Sequence, residues 1–242
     1  MEFKLPTETI QLPSKGLLYS TDNPLSSGEI EIKYMTAKEE DILTNANYIN
    51  NGTVLDKLMK SLIVSDINYN DLLIGDKNAI MIAARILGYG KDYKFTYQGE
   101  NHTVDLSTLE NKNLDESLFT RGNNRFSFTL PATKVNIEFK LLTHGDEVAI
   151  SQEIKGLKKI NSESTADLTT RLKHMILSID GSEEKADVRK FVDNYLLAQD
   201  ARALRNYINE IQPDVDLTFF RGRTEEKTAI PIGLSFFWPD IW

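Results

Sequence analysis

The stretch Leu72–Ile80, LLIGDKNAI, recurs later in the chain as Leu196–Leu204, LLAQDARAL. Both copies follow the pattern Leu-Leu-x-x-Asp-x-x-Ala-apolar without a gap. An acidic residue followed by apolar residues at helical spacing is typical of the start of an amphipathic helix. The repeated pattern therefore predicts that two related segments of the chain enter a helix in the same way.

The first half of the sequence predicts one strand, three helices and a hairpin. Glu29–Met35 alternates between charged and apolar side chains, which indicates a half-buried strand. The predicted helices begin at residues that can cap a helix: Thr36, where Glu39 completes a capping box, Thr53 and Asp76. Gly88 is the predicted end of the third helix. Tyr93–Tyr97 and His102–Leu106 are predicted to form a hairpin around a polar turn.

The second half is predicted to repeat this order. Arg125–Leu130 and Val135–Leu142 form a hairpin-like pair, a helix begins at Thr143, and Ala166–Ile179 is an amphipathic helix. Two further helices are predicted over Val188–Leu197 and Ala201–Ile211. The end of the chain is predicted to be extended over Asp216–Arg221 and Ala229–Trp238. We therefore expect an α+β fold of two related, mainly helical units, each with a strand and a β-hairpin, produced by internal duplication. The alternative is that amphipathic helices resemble one another by chance.

Residues 1–28 are predicted to form an extended N-terminal arm. Pro6, Pro13 and Pro24 favour extended backbone, and the apolar residues between them lack helical spacing. A floppy tail would contain fewer apolar residues. We therefore expect the arm to dock on a surface, either of its own chain, which is favoured, or of a neighbour. The predicted domains are the arm, a first unit over 29–124 and a second unit over 125–242.

The composition excludes several classes of function. The 242 residues include 28 basic and 36 acidic side chains, a formal charge of −8, which disfavours binding to nucleic acid or to an anionic membrane. The absence of cysteine excludes disulfides, thiolate nucleophiles and sulfur-bound zinc or iron. No apolar run approaches the roughly 20 residues that span a bilayer, and the start lacks a signal-peptide pattern. The protein is expected to act inside the cell that makes it.

The sequence contains none of the usual catalytic or cofactor motifs. His102, His144 and His174 have no second ligand at metal-binding spacing, so each is interpreted as structural or exposed. A phosphate-binding loop and a nucleophile elbow are both absent. Acidic clusters such as Glu39-Glu40-Asp41 are interpreted as solvated faces. The prediction is a protein that is not an enzyme and has no catalytic residue, metal or cofactor; a carboxylate-based hydrolase is the alternative class.

Two apolar segments are the candidates for partner binding. One is the stretch 12–19 in the arm, and the other is the aromatic end over 230–242, which has four large aromatic residues in its last seven positions. Aromatic residues are enriched both in cores and at interface hot spots. Residues 230–236 are expected to complete the core. The predicted partner-binding residues are Leu12, Leu17, Leu18, Tyr19, Phe237, Trp238 and Trp242, with core packing left open as the alternative.

These segments resemble the baseplate hub subunit and hub assembly protein family of T-even-type contractile-tailed bacteriophages. The resembling stretches are LPSKGLLY at 12–19, the segment 23–43, Gly88-Tyr89-Gly90-Lys91-Asp92-Tyr93, and Phe236-Phe237-Trp238-Pro239. The resemblance implies a non-enzymatic virion protein that forms or helps to assemble the central hub of the tail baseplate. An assembly chaperone absent from the mature virion is the alternative.

The resemblance also implies partners and a location. The partners would be other hub or wedge proteins, contacted in the host cytoplasm during assembly and then in the virion tail, and a homo-oligomer is left open. Members of this family often have a Cys-x-x-Cys knuckle resembling a zinc ribbon at a hairpin tip. The matching tips here, Tyr97-Gln98-Gly99 and Phe220-Arg221-Gly222, contain no cysteine, so zinc is not expected.

Overall fold

The structure, a computed structural model, describes residues 5–160, 166–220 and 227–237. It is a mixed α+β fold in which short antiparallel sheets alternate with helices. The strands in the described residues are β1 (Thr7–Gln11), β2 (Glu29–Lys33), β3 (Asp92–Tyr97), β4 (Glu100–Asp105), β5 (Phe126–Thr129), β6 (Asn136–Phe139), β7 (Ile176–Ile179), β8 (Thr218–Phe220) and β9 (Lys227–Ala229).

The α-helices in the same ranges are α1 (Ala37–Leu43), α2 (Ala46–Asn50), α3 (Val54–Leu62), α4 (Ile74–Tyr89), α5 (His144–Ile160), α6 (Asp167–Met175), α7 (Lys185–Asn194) and α8 (Ala198–Ile211). Of these described helices, none combines the length and the apolar content needed to span a bilayer. Helix α2 is not among the helices predicted from the sequence.

The sheets are small and locally connected. β1 pairs antiparallel with β2, and Ile32 of β2 forms an isolated antiparallel bridge with Ile63, the residue that follows α3. Strands β5, β6 and β7 form an antiparallel sheet in that order, and β7 directly follows α6. The hairpins β3–β4 and β8–β9 come after α4 and α8, respectively. The hairpin β3–β4, the strand β2 and the capping box at Thr36 and Glu39 confirm the sequence-based predictions, whereas β8–β9 does so only in part, because β9 ends at Ala229.

The N-terminal residues do not form a separate extended arm, contrary to the prediction. β1 pairs along its whole length with β2, and the intervening chain returns through turns and the 3-10 helix Pro24–Ser27. Gly16 and Gly28, with φ of 73° and 78°, make this compact path achievable. A Cβ on Gly16 would lie 2.7 Å from the Gly28 nitrogen. The described part of the segment is therefore built into the first unit.

The start and end of α4 differ from the prediction. Leu73, in extended conformation, is the N-cap residue, so Asp76 lies at the third helical position and does not cap the helix. The helix continues through Gly88 and ends at Tyr89, followed by Gly90 at the C-cap, whose φ is 83°. Asp76 is not a cap because its buried carboxylate has other hydrogen-bond partners, described below.

Two predicted elements of the second half are also corrected. The helix expected over Ala166–Ile179 stops at Met175, and the last four residues become strand β7. Ile179 pairs with Ile137 of β6, and pairing with a neighbouring strand outweighs a helical pattern that continues across the boundary. The strand expected over Ala229–Trp238 is instead the end of β9 and a 3-10 helix at Leu234–Phe237; residue 238 lies outside the described ranges.

The two predicted units contact each other directly. Leu73 forms an antiparallel bridge with Thr143, and the backbone N–H of His144 donates to the Leu72 carbonyl at 2.7 Å. Gly75 lies against the Pro213 carbonyl, so closely that a Cβ would be 1.8 Å from its oxygen. The buried apolar residues form one continuous cluster, which extends from Leu12 to Phe237. The starts of α4 and α5 therefore lie side by side.

Candidate functional site

The N-terminal segment folds around one buried carboxylate, that of Asp76. The amide and hydroxyl of Ser14 donate to Asp76 Oδ1 and Oδ2 at 2.9 and 2.6 Å, and the Tyr19 hydroxyl donates to Oδ2 at 2.6 Å. The Tyr19 oxygen in turn accepts the N–H of Leu73 at 2.9 Å. Burial raises the pKa of Asp76, although the hydrogen bonds from Ser14 and Tyr19 act in the opposite direction. This network fastens the segment to the start of α4.

Three of the predicted partner-binding residues belong to this buried structure. Leu12, Leu18 and Tyr19 are 1, 4 and 5% exposed. Their own chain covers them, so the favoured form of docking, on the same chain, is the one observed. In this conformation their side chains are not accessible to a partner.

A second buried carboxylate, Asp200, occupies the equivalent position in α8. It is also the third helical residue, after an extended Leu197 at the N-cap. Its oxygens accept the N–H groups of Ala132 and Thr133 at 2.7 and 3.1 Å, and the Thr133 hydroxyl at 2.8 Å. Burial opposes ionisation of Asp200, but these hydrogen bonds together outweigh it and lower the pKa. Asp200 thus holds the β5–β6 loop as Asp76 holds the β1–β2 loop.

Phe237 is also buried within the chain. It and Phe236 are both 0% exposed, and their rings meet edge to face with centroids 5.4 Å apart. The buried Arg85 of α4 donates from Nε to the Phe236 carbonyl at 2.7 Å. Core packing, the alternative left open from the sequence, is therefore the arrangement seen for Phe237. Trp238 and Trp242 lie outside the described residues.

Among the predicted partner-binding residues that the structure describes, Leu17 is the one that stays accessible. It is half-buried and lines a groove of about 530 Å³ between the N-terminal segment and residues 110–119. We call this the Leu17 groove; its apolar lining includes Leu17, Leu114 and Phe119. Lys15 and Glu116 form an exposed ion pair at its rim, with Nζ and Oε1 2.5 Å apart. An apolar side chain between polar rims is the arrangement that protein interfaces use for an anchoring residue.

A larger cavity, of about 870 Å³, lies between α3, α4, α5 and the residues after β9. Lys77 Nζ, at its wall, is 2.7 Å from Asp56 Oδ1 and 3.1 Å from His144 Nδ1. Tyr69 donates to Asp56 Oδ1 at 3.2 Å, and its ring meets His144 edge to face. Sequence reasoning missed this cluster, because its members are far apart in the chain and follow no local motif.

The polar groups of this cluster satisfy one another's hydrogen bonds and charges. Burial, followed by the charge of Lys77, lowers the pKa of His144, so the imidazole is neutral at neutral pH. Lys77 donates to Nδ1, which leaves the proton on Nε2, 3.6 Å from Asp56 Oδ2. Asp56 neutralises Lys77. The cluster joins α3, α4 and α5, and it gives no support to the hydrolase alternative.

The two hairpins meet through aromatic side chains. Phe219 of β8 contacts the rings of Phe95, Tyr97 and His102 of the β3–β4 hairpin, with centroids 5.0 to 6.0 Å apart. At the first tip, Gln98 and Gly99 have φ of 50° and 84°, a tight two-residue turn. The second tip includes residues outside the described ranges. Among the described residues, no group of three or more His, Asp or Glu side chains is placed to hold a metal ion.

Comparison with known proteins found no relative of this chain. No family model, curated protein or solved structure matches the chain. The expectation drawn from the hub family therefore rests on the quoted stretches of sequence.

Proposed function

We propose that this protein is a non-enzymatic component of, or assembly factor for, the central hub of a contractile-tail baseplate, and that it acts through protein–protein contacts. The proposal is supported by the stretch LPSKGLLY at 12–19. Its residues Ser14 and Tyr19 form the network around Asp76, and Leu12 and Leu18 pack in the core. The resemblance therefore involves residues that specify this fold.

The contact surface in this proposal is the Leu17 groove. Leu17 lies in the same stretch as the buried residues, so the network around Asp76 fixes its backbone position; its carbonyl also accepts the N–H of Gly122 at 2.8 Å. A preorganised apolar anchor lowers the entropic cost of association. Trp238 and Trp242 remain predicted partner-binding residues. The partners are other hub or wedge proteins.

We also propose that the two units arose by internal duplication. Asp76 and Asp200 occupy equivalent helical positions and each binds a loop that follows a Leu-Pro pair. Both loops contain a lysine with positive φ, Lys15 at 50° and Lys134 at 62°. Superposition of residues 7–105 on residues 126–229 tests this idea, and a mismatch in strand pairing or connectivity would reject it.

Affinity purification from phage-producing cells tests the function. The tagged chain should recover hub or wedge proteins in stoichiometric amounts, identified by mass spectrometry, and a Leu17→Asp variant should recover less. Purified virions distinguish the two forms of the proposal. A structural hub subunit is present at a fixed copy number in the particle, whereas an assembly chaperone is absent from it.

A further inference from the structure

The two units meet through the starts of two helices, α4 of the first unit and α5 of the second. Leu73, the N-cap residue of α4, forms an antiparallel bridge with Thr143, the residue before α5. Each helix donates the N–H of its first residue to the chain that precedes the other helix. These hydrogen bonds are His144 N–H to the Leu72 carbonyl at 2.7 Å and Ile74 N–H to the Leu142 carbonyl at 3.3 Å. The two surfaces differ, so the contact is heterologous.

The start of α1, in the first unit, is the counterpart of the start of α5. Thr36 precedes α1 as Thr143 precedes α5. The N–H of each threonine donates to the carboxylate three residues later, Glu39 at 2.9 Å and Asp146 at 3.0 Å. A lysine three residues before each threonine binds the same carboxylate, at 2.9 and 2.7 Å. The two helix starts therefore have the same local structure.

The start of α8, in the second unit, is the counterpart of the start of α4. Leu197 precedes α8 with φ of −65° and ψ of 146°, and Leu73 precedes α4 with φ of −62° and ψ of 149°. A buried carboxylate, Asp200 or Asp76, is the third residue of each helix. Each unit therefore has one helix start of each kind, and the contact within the chain uses one from each unit.

The other two helix starts are unpaired in the described part of the chain. Leu197 is 50% exposed, whereas Leu73, inside the contact, is 3% exposed. Within residues 5–160, 166–220 and 227–237, four backbone groups at these starts form no backbone hydrogen bond, namely the N–H groups of Ala37 and Ala198 and the carbonyls of Met35 and Leu196. They are the counterparts of the four groups that bond in the contact between the units.

The Met35 carbonyl faces away from β1. The Glu31 carbonyl accepts the N–H of Val64 at 2.9 Å on the side of β2 opposite β1, whereas the N–H of Tyr34 donates to the Pro6 carbonyl on the β1 side. Alternate residues of a strand bond to the same side, so Met35 shares the side of Glu31. A second chain reaches this carbonyl without displacing β1.

We propose that copies of this chain associate head to tail, with the start of α8 in one copy paired to the start of α1 in the next. Leu197 then bridges Thr36 of the second copy, and the four unpaired backbone groups bond as their counterparts do within the chain. A second copy is the occupant because each copy carries both halves of a contact that the chain already forms internally. This surface is separate from the Leu17 groove, and the inference does not depend on a baseplate role.

Charged side chains at these starts are complementary. Asn78 and Glu147 line the same cavity beside the contact between α4 and α5. Their counterparts in the proposed contact are Arg202 and Glu40, both exposed. A pair of opposite charges therefore replaces an amide and a carboxylate, which favours the association of two copies.

Two glycines of the inner contact have larger counterparts. Gln199 takes the place of Gly75, which lies against the Pro213 carbonyl. That carbonyl follows the end of α8, whereas α4 continues as a helix at the equivalent position, so it has no counterpart. Lys38 takes the place of Gly145, where a Cβ would lie 3.1 Å from a backbone oxygen. The proposed contact therefore requires a shift of a few tenths of an ångström there.

Substitutions on each surface test the proposal. Ala37→Pro removes one of the bonding N–H groups, and proline is favoured at the first position of a helix. Ala37→Ser, which keeps the N–H, is the matched control. Leu197→Asp places a charge at the exposed apolar residue of the other surface. By sedimentation equilibrium of the full chain, the wild type and Ala37→Ser should associate, and Ala37→Pro and Leu197→Asp should each raise the dissociation constant about tenfold or more.

Mixing the two defective variants tests the head-to-tail arrangement itself. Ala37→Pro keeps an intact α8 start, and Leu197→Asp keeps an intact α1 start. An equimolar mixture should therefore form a one-to-one pair and stop there, although each variant alone remains monomeric at the same concentration. A contact between identical surfaces would not be restored by mixing.

Three results would overturn the proposal: a wild-type chain that is monomeric at all accessible concentrations, an association that neither substitution weakens, and a mixture that stays monomeric. Circular dichroism checks that the variants are folded. If Ala37→Pro is unfolded, Ala198→Pro, at the first position of α8, replaces it, with Leu197→Asp replaced by Ala37→Asp in the mixture.

Discussion

Ser14 and Asp76 are 62 positions apart in the sequence, yet the Ser14 amide and hydroxyl both donate to the Asp76 carboxylate, at 2.9 and 2.6 Å. This double contact fastens the β1–β2 loop to α4 and places the accessible Leu17 three residues further on. The carboxylate is fully buried, and in the described residues its donors are neutral groups. The position of the proposed partner anchor therefore depends on one carboxylate.

Asp76→Asn should destabilise the fold. An amide nitrogen cannot accept from Ser14 or Tyr19, so at least one buried donor loses its partner, at a cost of about 1 to 3 kcal/mol of unfolding free energy. Urea unfolding measures this. Asp115→Asn, which changes an exposed carboxylate at the N-cap of a 3-10 helix, is the control and should cost less than about 0.5 kcal/mol. Equal effects of the two substitutions would refute the structural role of Asp76.

Glu39 should make stability depend on pH. Burial of Glu39 opposes ionisation, but hydrogen bonds from Thr36, Ser61 and Lys33 outweigh it and lower its pKa to about 2 from 4.5. Because its pKa is lower in the folded state, ionised Glu39 stabilises the fold at pH values above its pKa in the unfolded chain. This stabilisation is lost as the pH falls from about 4.5 to about 2. It amounts to about 3 kcal/mol at neutral pH.

Glu39→Gln provides the comparison. Its deficit in unfolding free energy relative to the wild type should be largest at neutral pH and should shrink as the pH falls below about 4.5. Chemical unfolding at a series of pH values measures the difference, with the exposed Asp41→Asn as the control. A deficit that does not change with pH would mean that Glu39 is not held ionised by these partners.

Gly75 should be intolerant of any side chain. A Cβ at this position would lie 1.8 Å from the Pro213 carbonyl oxygen, so Gly75→Ala must separate α4 from the second unit. We expect a loss of about 2 kcal/mol or more. At Gly156, in α5, no atom lies within 4 Å of the place that a methyl group would take, and Gly156→Ala should instead stabilise by about 0.5 to 1 kcal/mol. Thermal unfolding of both variants decides whether the close approach exists.

Substitution of Leu17 should affect partner binding, and substitution of Leu18 should affect folding stability. Leu17→Ala should weaken the capture of a hub or wedge protein at least about tenfold, as expected for an interface anchor, with little change in unfolding free energy. Leu18→Ala, at a buried neighbour, should cost about 2 to 4 kcal/mol of stability. Binding assays with both folded variants measure the contrast. Unimpaired capture by Leu17→Ala would remove the Leu17 groove as the contact surface.

Local patterns predicted the elements that local interactions determine. The alternation in Glu29–Met35, the capping box at Thr36 and the β3–β4 hairpin depend on neighbouring residues, and all are present. The sequence pattern did not predict β7, because Ile176 and Ile179 continue the apolar spacing of α6. Only the pairing with β6 makes them a strand.

The long-range contacts could not be predicted in this way. The pairing of β1 with β2 closes a 17-residue loop, and the contact between Asp76 and Ser14 joins two distant segments. Asp76 has the sequence signature of a helix cap, so local reasoning assigned it the wrong role. The cluster of Asp56, Lys77 and His144 has no signature at all, since no two of its members lie at a recognisable spacing.

The affinity purification of the tagged full chain from phage-producing cells tests the central claim most directly. The proposed function predicts stoichiometric recovery of baseplate hub or wedge proteins by the wild type, and markedly lower recovery by Leu17→Ala at equal expression and equal thermal stability. Recovery of the chain without any baseplate protein, or equal recovery by both forms, would contradict it.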